Sequence, residues 1–270
     1  MSAKAPRKKI RWDLWMIVTV GVSIFYMLFL LYPLISMLSK SVIGEDGGFT
    51  WQYFAKVFHK KYYQRAIWGS LKISATVTLI TVLLATPLAY IMSTVKIRFA
   101  GALQILILVS SMSAPFIGAY AWIMLCGRNG TITNFLLNTF GIKLGDIYGF
   151  KGCVIVMSLQ LYSLVFMFVS GAFKNMDNSL IEASESLGCS GIRKIFRVVL
   201  PLILPTLLSG ALMVFMRTFA DYGTPMLIGE NYNTLPVVVY KEFLSEIGSS
   251  DGMAAAISII AIVITTAVFL

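Results

Sequence analysis

The stretch DNSLIEASESLGCSGIRKIFRVVLP, from Asp177 to Pro201, is a polar interruption between two long apolar runs. Small and apolar residues recur at helical spacing on either side of Gly188, which predicts two short amphipathic helices joined by a tight turn. Gly188 fits the end of the first helix, because glycine adopts a positive φ without strain. A chain that only crosses a bilayer has no need of a rigid, two-faced hairpin, so we interpret this one as a docking surface for a soluble partner.

The two ends of this hairpin also carry capping signals. Ser179-x-x-Glu182 is typical of a capping box, in which each side chain accepts a hydrogen bond from the other residue's backbone amide. Ser190 is expected to cap the second helix. Pro201 is expected in the first turn of the following membrane span, where its missing N–H costs nothing.

The rest of the chain has the composition of a polytopic membrane protein. Of its 270 residues, 58% are hydrophobic and 13% are charged, which a soluble domain of this size does not show. Apolar stretches of about 20 residues match a hydrocarbon core of about 30 Å, and lipid forces such segments to be helical. We therefore predict an all-α fold with six membrane-spanning helices: Trp15–Met37, Ile67–Met92, Ala102–Leu125, Gly152–Phe173, Leu202–Phe219 and Ala254–Leu270.

The basic residues indicate how these spans are oriented. If the six spans alternate in direction, one side of the membrane collects Lys4, Arg7, Lys8, Lys9, Arg11, Lys96, Arg98, Lys174, Arg193, Lys194 and Arg197. The loops on the other side are longer and carry positive charge at lower density. We therefore expect the N-terminus and the hairpin to face the cytoplasm. The same distribution argues that the net charge of +10 serves orientation rather than nucleic-acid binding.

Three segments are expected on the opposite side. Residues 41–66 include an aromatic-rich stretch that we expect to anchor the chain at headgroup level. Residues 127–151 are expected to contain a short surface helix near 134–138. Residues 222–252 contain two glycines and two prolines in their first fifteen positions, so we expect largely irregular backbone there.

The side chains that could perform chemistry are few. Cys126, Cys153 and Cys189 are scattered, and a single histidine cannot build a metal cluster, so no disulfide framework, metal site or catalytic centre is predicted. The chain has no G-x4-G-K-[ST] phosphate loop, so it is not expected to be an ATPase or any other enzyme by itself. An ion-coupled secondary transporter, the main alternative, would need carboxylates or histidines at mid-membrane.

One pair of charges lies near the outer end of the fifth span. Arg217 and Asp221 are four residues apart, and charges inside a membrane are usually paired with each other or line a pathway. Both interpretations stay open at this point: a mutual salt bridge, or a place on a translocation pathway.

The hairpin resembles the "EAA" loop of permease subunits in binding-protein-dependent ABC importers, whose pattern is E-A-A-x3-G-x9-I-x-L-P. The matching residues are Glu182-Ala183-Ser184, Gly188 and Val198-x-Leu200-Pro201. Ser184 replaces the second alanine of the pattern, and Val198 replaces the isoleucine. The resemblance implies that Glu182, Ala183, Ser184, Gly188, Leu200 and Pro201 couple the chain to an ATP-hydrolysing subunit.

The resemblance also implies a domain layout, partners and a location. A basic N-terminus (1–12), a first helix with its outward loop (13–66) and a MetI-like permease core (67–270) with a coupling loop at 174–201 would lie in the bacterial inner membrane. The expected partners are cytoplasmic ABC ATPase subunits that bind ATP and Mg²⁺, a second permease half and an extracytoplasmic substrate-binding protein. No cofactor is expected in this chain.

The substrate is indicated by a second resemblance. FADYGTP at 219–225 and LPV at 235–237 resemble the corresponding runs of ferric-iron permeases, although polyamine, thiosulfate and aminoalkylphosphonate permeases share much of them and stay as alternatives. In the ferric family one chain commonly carries two tandem halves. The apolar run that stops at Leu270 is then expected to be the truncated last helix of an N-terminal half.

Overall fold

The computed structural model describes residues 14–44, 47–95, 97–110, 112, 114–142, 145–189, 191–244 and 251–270. The predictions for the basic N-terminus and for capping by Ser190 lie outside these residues, as does Lys96 in the orientation argument. In chain order the helices are α1 Leu14–Val42, α2 Gln52–His59, α3 Lys61–Thr94, α4 Ala100–Ser110, α5 Pro115–Cys126, α6 Thr131–Phe140, α7 Phe150–Lys174, α8 Asn178–Ser186, α9 Gly191–Ala220, α10 Gly223–Ile228, α11 Leu235–Leu244 and α12 Asp251–Phe269.

The described part of the chain is helical, which confirms the predicted all-α class. Its β pairing consists of one isolated bridge between Ile43 and Phe49. Five of the helices are long and apolar enough to cross a membrane: α1, α3, α7, α9 and α12. They correspond to five of the six predicted spans, so the chain is a multi-pass membrane protein.

The span predicted at Ala102–Leu125 is wrong as a single helix. The helix α4 ends at Ser110 and α5 begins at Pro115. Ala114 between them is extended, with φ −65° and ψ 143°, because a residue before proline is disfavoured from the helical region. The two pieces have 11 and 12 residues, or about 17 and 18 Å, so neither alone spans a core of about 30 Å.

Two contacts between α3 and α7 show in which direction these helices run relative to each other. Near the beginnings of α3 and α7, the Lys72 ammonium lies 5.1 Å from the centre of the Phe150 ring. Near their ends, the rings of Tyr90 and Phe173 are 5.8 Å apart. The two helices therefore run parallel, and α4 and α5 together return the chain between them. The hairpin lies at one end of the bundle, the hairpin end, and the beginnings of α3 and α7 lie at the other, the loop end.

Two of the long helices contain a π turn just before a proline. In α1 the turn is Met27–Leu31 and precedes Pro33, and in α9 it is Ile195–Val199 and precedes Pro201. In both, the backbone N–H after the turn binds the carbonyl five residues earlier. Proline lacks a donor and clashes with the preceding turn of an α-helix, and a wider π turn lets the helix continue past it.

This continuity corrects the prediction for the second half of the hairpin. We expected a separate short helix that ends before a new span starts near Pro201. Instead, residues 191–220 form one helix of 30 residues that carries the hairpin's second arm directly into the membrane. The hairpin's second arm and the membrane-spanning part of α9 are therefore one continuous element.

The loop end is more ordered than the sequence predicted. In the described residues 222–244 lie α10 and α11, and Leu235 and Val238 are fully buried, so for these residues the expectation of largely irregular backbone is wrong. The predicted surface helix in the second loop is confirmed as α6. Of the aromatic residues expected at headgroup level, Tyr53 and Tyr63 are buried, whereas Trp51 is 61% exposed. These aromatics belong partly to a second apolar core between α2, α3, α11 and α12.

Candidate functional site

The first arm of the hairpin, α8, begins with a capping residue that the sequence analysis missed. The Asp177 carboxylate accepts a hydrogen bond from the Ser179 backbone amide at 2.9 Å, and this bond lowers the pKa of Asp177. The prediction that Ser179 caps the helix is therefore wrong, since Ser179 lies inside the first turn. An ionised carboxylate at this position satisfies a free amide and also interacts favourably with the helix dipole. The sequence alone could have predicted this cap, because aspartate is as good a helix cap as serine.

The end of α8 has the geometry predicted for glycine. Gly188 has φ 79°, its N–H donates to the Glu185 carbonyl at 2.9 Å, and the Cys189 N–H donates to the Ser184 carbonyl at 2.9 Å. These two bonds form a Schellman motif. Apart from the two chain neighbours, no atom of the described residues lies within 4 Å of the position a Cβ would take at Gly188, so the positive φ is the reason for glycine here.

An ion pair connects the two arms of the hairpin. The Lys194 ammonium, at the start of α9, donates to the Glu185 carboxylate near the end of α8. The Lys194 side chain is only 18% exposed, because it lies against the turn. Nine residues separate the members of the pair, so helical periodicity alone could not predict it.

The hairpin, whose second arm is the beginning of α9, exposes large apolar side chains. Leu187 is 88% exposed, Ile192 73% and Phe196 63%. Exposed apolar residues of this size, grouped within ten positions and rimmed by polar ones, are typical of a protein interface. Leu187 follows α8, and the other two lie in the first turns of α9.

The six predicted coupling residues separate into two groups. Glu182 and Ala183 are exposed on α8 and Ser184 is half-buried, with its hydroxyl bonded to the Ile181 carbonyl at 2.7 Å. These three residues lie on the hairpin's first arm, and Gly188 lies in its turn. The other two, Leu200 and Pro201, lie on α9 past the π turn, where Leu200 packs against the largest apolar core of the bundle, which is formed mainly by α3, α7 and α9.

A salt bridge between Arg217 and Asp221, one of the two interpretations left open by the sequence, is not formed. The helix α9 ends at Ala220, and Asp221 is extended with φ −74° and ψ 122°, so helical i, i+4 geometry no longer applies. The Asp221 carboxylate instead accepts from the Gly223 amide at 2.9 Å and from the Thr224 hydroxyl at 2.8 Å, which caps α10. Arg217 is exposed.

A charged cluster at the loop end was also missed. The Arg128 guanidinium pairs with Asp146 at 3.0 Å and with Glu230 at 2.7 Å, and it lies 4.8 Å from the centre of the Tyr148 ring. Glu230 has φ 46°, an uncommon conformation for a residue with a side chain. The cluster joins two loops that are far apart in sequence, so no local sequence pattern predicts it.

Comparisons with known proteins agree with this architecture. The family described as "Binding-protein-dependent transport system inner membrane component" matches residues 82–270. A ferric transport system permease protein of Actinobacillus pleuropneumoniae is 26% identical over 223 residues, which cover 82% of this chain and 32% of that protein. A spermidine/putrescine transport system permease protein of Haemophilus influenzae is 27% identical over 253 residues, covering 90% of this chain and 88% of that protein. The chain thus spans about a third of the length of the ferric transport relatives it matches.

A solved structure shares the fold. A chain in the crystal structure of a bacterial alginate ABC transporter, in complex with alginate pentasaccharide-bound periplasmic protein, superposes with a TM-score of 0.73 at 19% identity. The match covers 94% of this chain and 91% of that one. It confirms the all-α permease fold that the sequence resemblance implied.

Proposed function

The chain belongs to the family of binding-protein-dependent transport system inner membrane components, and we propose on that basis that it is the transmembrane permease subunit of an ATP-driven ABC importer. It forms part of the translocation path and couples to separate ATPase subunits, which bind ATP and Mg²⁺. A second permease half completes the path, and a substrate-binding protein delivers substrate at the loop end. The N-terminus and the hairpin face the cytoplasm of a bacterial cell, and the chain contributes no catalytic residue of its own.

The observation that carries this proposal is the construction of the hairpin. Its first arm is fixed by the Asp177 cap and the Gly188 turn, and its second arm is continuous with α9. The exposed side chains of Leu187, Ile192 and Phe196 supply the apolar contact that a soluble subunit would cover. When the ATPase subunits close, a force on this rigid element tilts α9 and opens the path alternately to the two sides.

Crosslinking tests the docking directly. Leu187→Cys, in a Cys189→Ser background, is expected to crosslink to the ATPase subunit when the complex is assembled in proteoliposomes. The matched control is Leu137→Cys, which is 40% exposed on α6 at the loop end and should not react with the ATPase. Equal crosslinking at both positions, or none at Leu187, would reject the docking role.

The first candidate for the substrate is ferric iron. The run FADYGTP at 219–225 and the ferric transport relatives support it, and Arg217, exposed near the end of α9, is kept as a possible pathway residue beside Asp221. Polyamines are the second candidate, because the spermidine/putrescine permease matches a larger share of both chains. Deletion of the gene should abolish uptake of labelled ferric iron and spare spermidine uptake. The reverse result would assign the polyamine instead.

A further inference from the structure

A basic recess opens at the loop end of the bundle, at the opposite end from the hairpin. It encloses about 460 Å³ between the first turns of α3 and the turn that follows α10. The side chains that define it are Tyr62, Arg65, Trp68, Lys72, Asn231 and Asn233. Two of them are cations and two are amides, and none is a carboxylate.

The two cations are placed on one face of α3 with a gap between them. Arg65, Gly69 and Lys72 stand at i, i+4 and i+7, which is a single helical stripe, and the two charged residues are separated by about 10 Å of helix rise. A Cβ at Gly69 would lie 2.9 Å from the Asn233 carbonyl oxygen. Glycine therefore forms a floor between the cations and lets the 231–233 turn approach the helix backbone closely.

The opposite wall of the recess holds its polar groups in place. The Tyr232 hydroxyl donates to the Gly69 carbonyl at 2.7 Å, which ties the turn to α3. Lys241 donates to the Asn233 side-chain oxygen at 2.8 Å. While its side-chain oxygen accepts from Lys241, Asn233 can offer the N–H donors of its NH2 group to the recess. Lys241 also adds a third positive charge beside the recess.

Two described carboxylates at the loop end bind partners outside the recess. Glu242 accepts from the Tyr63 hydroxyl at 2.9 Å, and Glu230 pairs with Arg128. Among the described residues neither Arg65 nor Lys72 forms an ion pair. Lys72 rests instead over the Phe150 ring at 5.1 Å, a contact that holds its stem while the ammonium keeps its donors.

We propose that this recess binds a phosphate-like oxyanion. Arg65 would offer its planar fork and Lys72 a point charge, which are the two ways in which proteins hold phosphate, and the Asn233 amide would add a neutral donor. The anion would lie between Arg65 and Lys72, beside the 231–233 turn, and neutralise the two cations. This site is independent of the transported substrate and of the docking role of the hairpin.

The recess lies near the level of the lipid headgroups, so the oxyanion can come from a lipid or from solution. The 34 residues of α3 extend about 51 Å, which exceeds a hydrocarbon core of about 30 Å, so its first turns reach headgroup level or beyond. Trp68, 72% exposed at the rim, is typical of that level. The phosphate of an anionic phospholipid and a dissolved phosphate ion are the two sources that can reach Arg65 and Lys72.

The test uses the purified chain in nanodiscs and needs no transport assay. In the first arm, inorganic phosphate is titrated against protein in phosphatidylcholine nanodiscs. In the second, native mass spectrometry counts phosphatidylglycerol molecules retained from mixed nanodiscs. The double variant Arg65→Gln/Lys72→Gln is expected to lose at least about tenfold in affinity, since it removes two charge-assisted contacts. Lys61→Gln, on the same helix but outside the recess, is the matched control.

Each outcome decides the proposal. Phosphate binding that is lost only in the double variant assigns a dissolved oxyanion, and lipid retention that is lost only in the double variant assigns a headgroup. The proposal is overturned if the wild type binds neither probe more tightly than the double variant, or if Lys61→Gln weakens binding as much. Both variants change exposed polar side chains, so folding, checked by thermal unfolding, should be unaffected.

Discussion

The turn of the hairpin depends on one backbone angle, the positive φ of Gly188. With φ 79° and open space around it, this position tolerates a larger side chain sterically but not conformationally. A residue other than glycine or asparagine is strained there by about 1–2 kcal/mol. The strain would act on the turn that sets the direction of α8, which carries Glu182 and Ala183.

We therefore expect Gly188→Trp to abolish the stimulation of ATP hydrolysis by the loaded binding protein in proteoliposomes. Membrane insertion should be intact, because the change lies outside the spans. The matched control is Gly188→Asn, which keeps the left-handed backbone and should retain most of the stimulation. If the tryptophan variant is stimulated as well as the asparagine variant, the turn has no part in coupling.

At the scale of the element, the hairpin acts as a unit because its two arms are linked. The Lys194–Glu185 ion pair joins α8 to α9 across the glycine turn, and the π turn of 195–199 carries α9 past Pro201 without a break. The apolar side chains proposed to dock lie at the turn and in the first turns of α9, and α9 continues from there into the membrane. The contribution of the Lys194–Glu185 ion pair to the link between the arms can be tested by exchanging its two charges separately.

Exchanging the charges tests this link. Glu185→Lys and Lys194→Glu alone should each lower binding-protein-stimulated ATP hydrolysis by roughly two- to fivefold, the range expected for loss of one partly exposed ion pair. The double exchange restores attraction with reversed polarity and should recover most of the activity. A double variant no better than the worse single variant would show that the pair does not position the arms.

The sequence predicted those elements whose signals are local. Five of six spans, the all-α class and the glycine turn follow from hydropathy and from the conformational freedom of one residue. The third span failed because Pro115 divides an apolar run that hydropathy alone reads as continuous. The cap that Asp221 provides for α10 was missed because Asp221 was considered only together with Arg217, four residues earlier.

At the scale of the whole molecule, what the sequence could not provide is the set of contacts between distant segments. The Lys40–Asp251 salt bridge at 2.8 Å joins residues 211 apart, and the recess between Arg65 and Asn233 needs the packing of α3 against a turn that follows α10. Neither contact leaves a periodic signal in the chain. Both depend on small residues that allow elements to approach closely.

Gly252 is the clearest such residue, because it decides how α12 packs against the first third of the chain. A Cβ there would lie 2.5 Å from the Tyr53 ring and 2.9 Å from the Lys40 carbonyl oxygen. We expect Gly252→Leu to lower the midpoint of thermal unfolding in detergent by several degrees, since overpacking costs about 1–3 kcal/mol. The matched control is Gly21→Leu on α1, where nothing lies within 4 Å and the midpoint should not fall. Adding Tyr53→Ala to Gly252→Leu removes the ring that is struck and should recover part of the loss. An equal decrease in the two leucine variants would mean that α12 does not hold this packing.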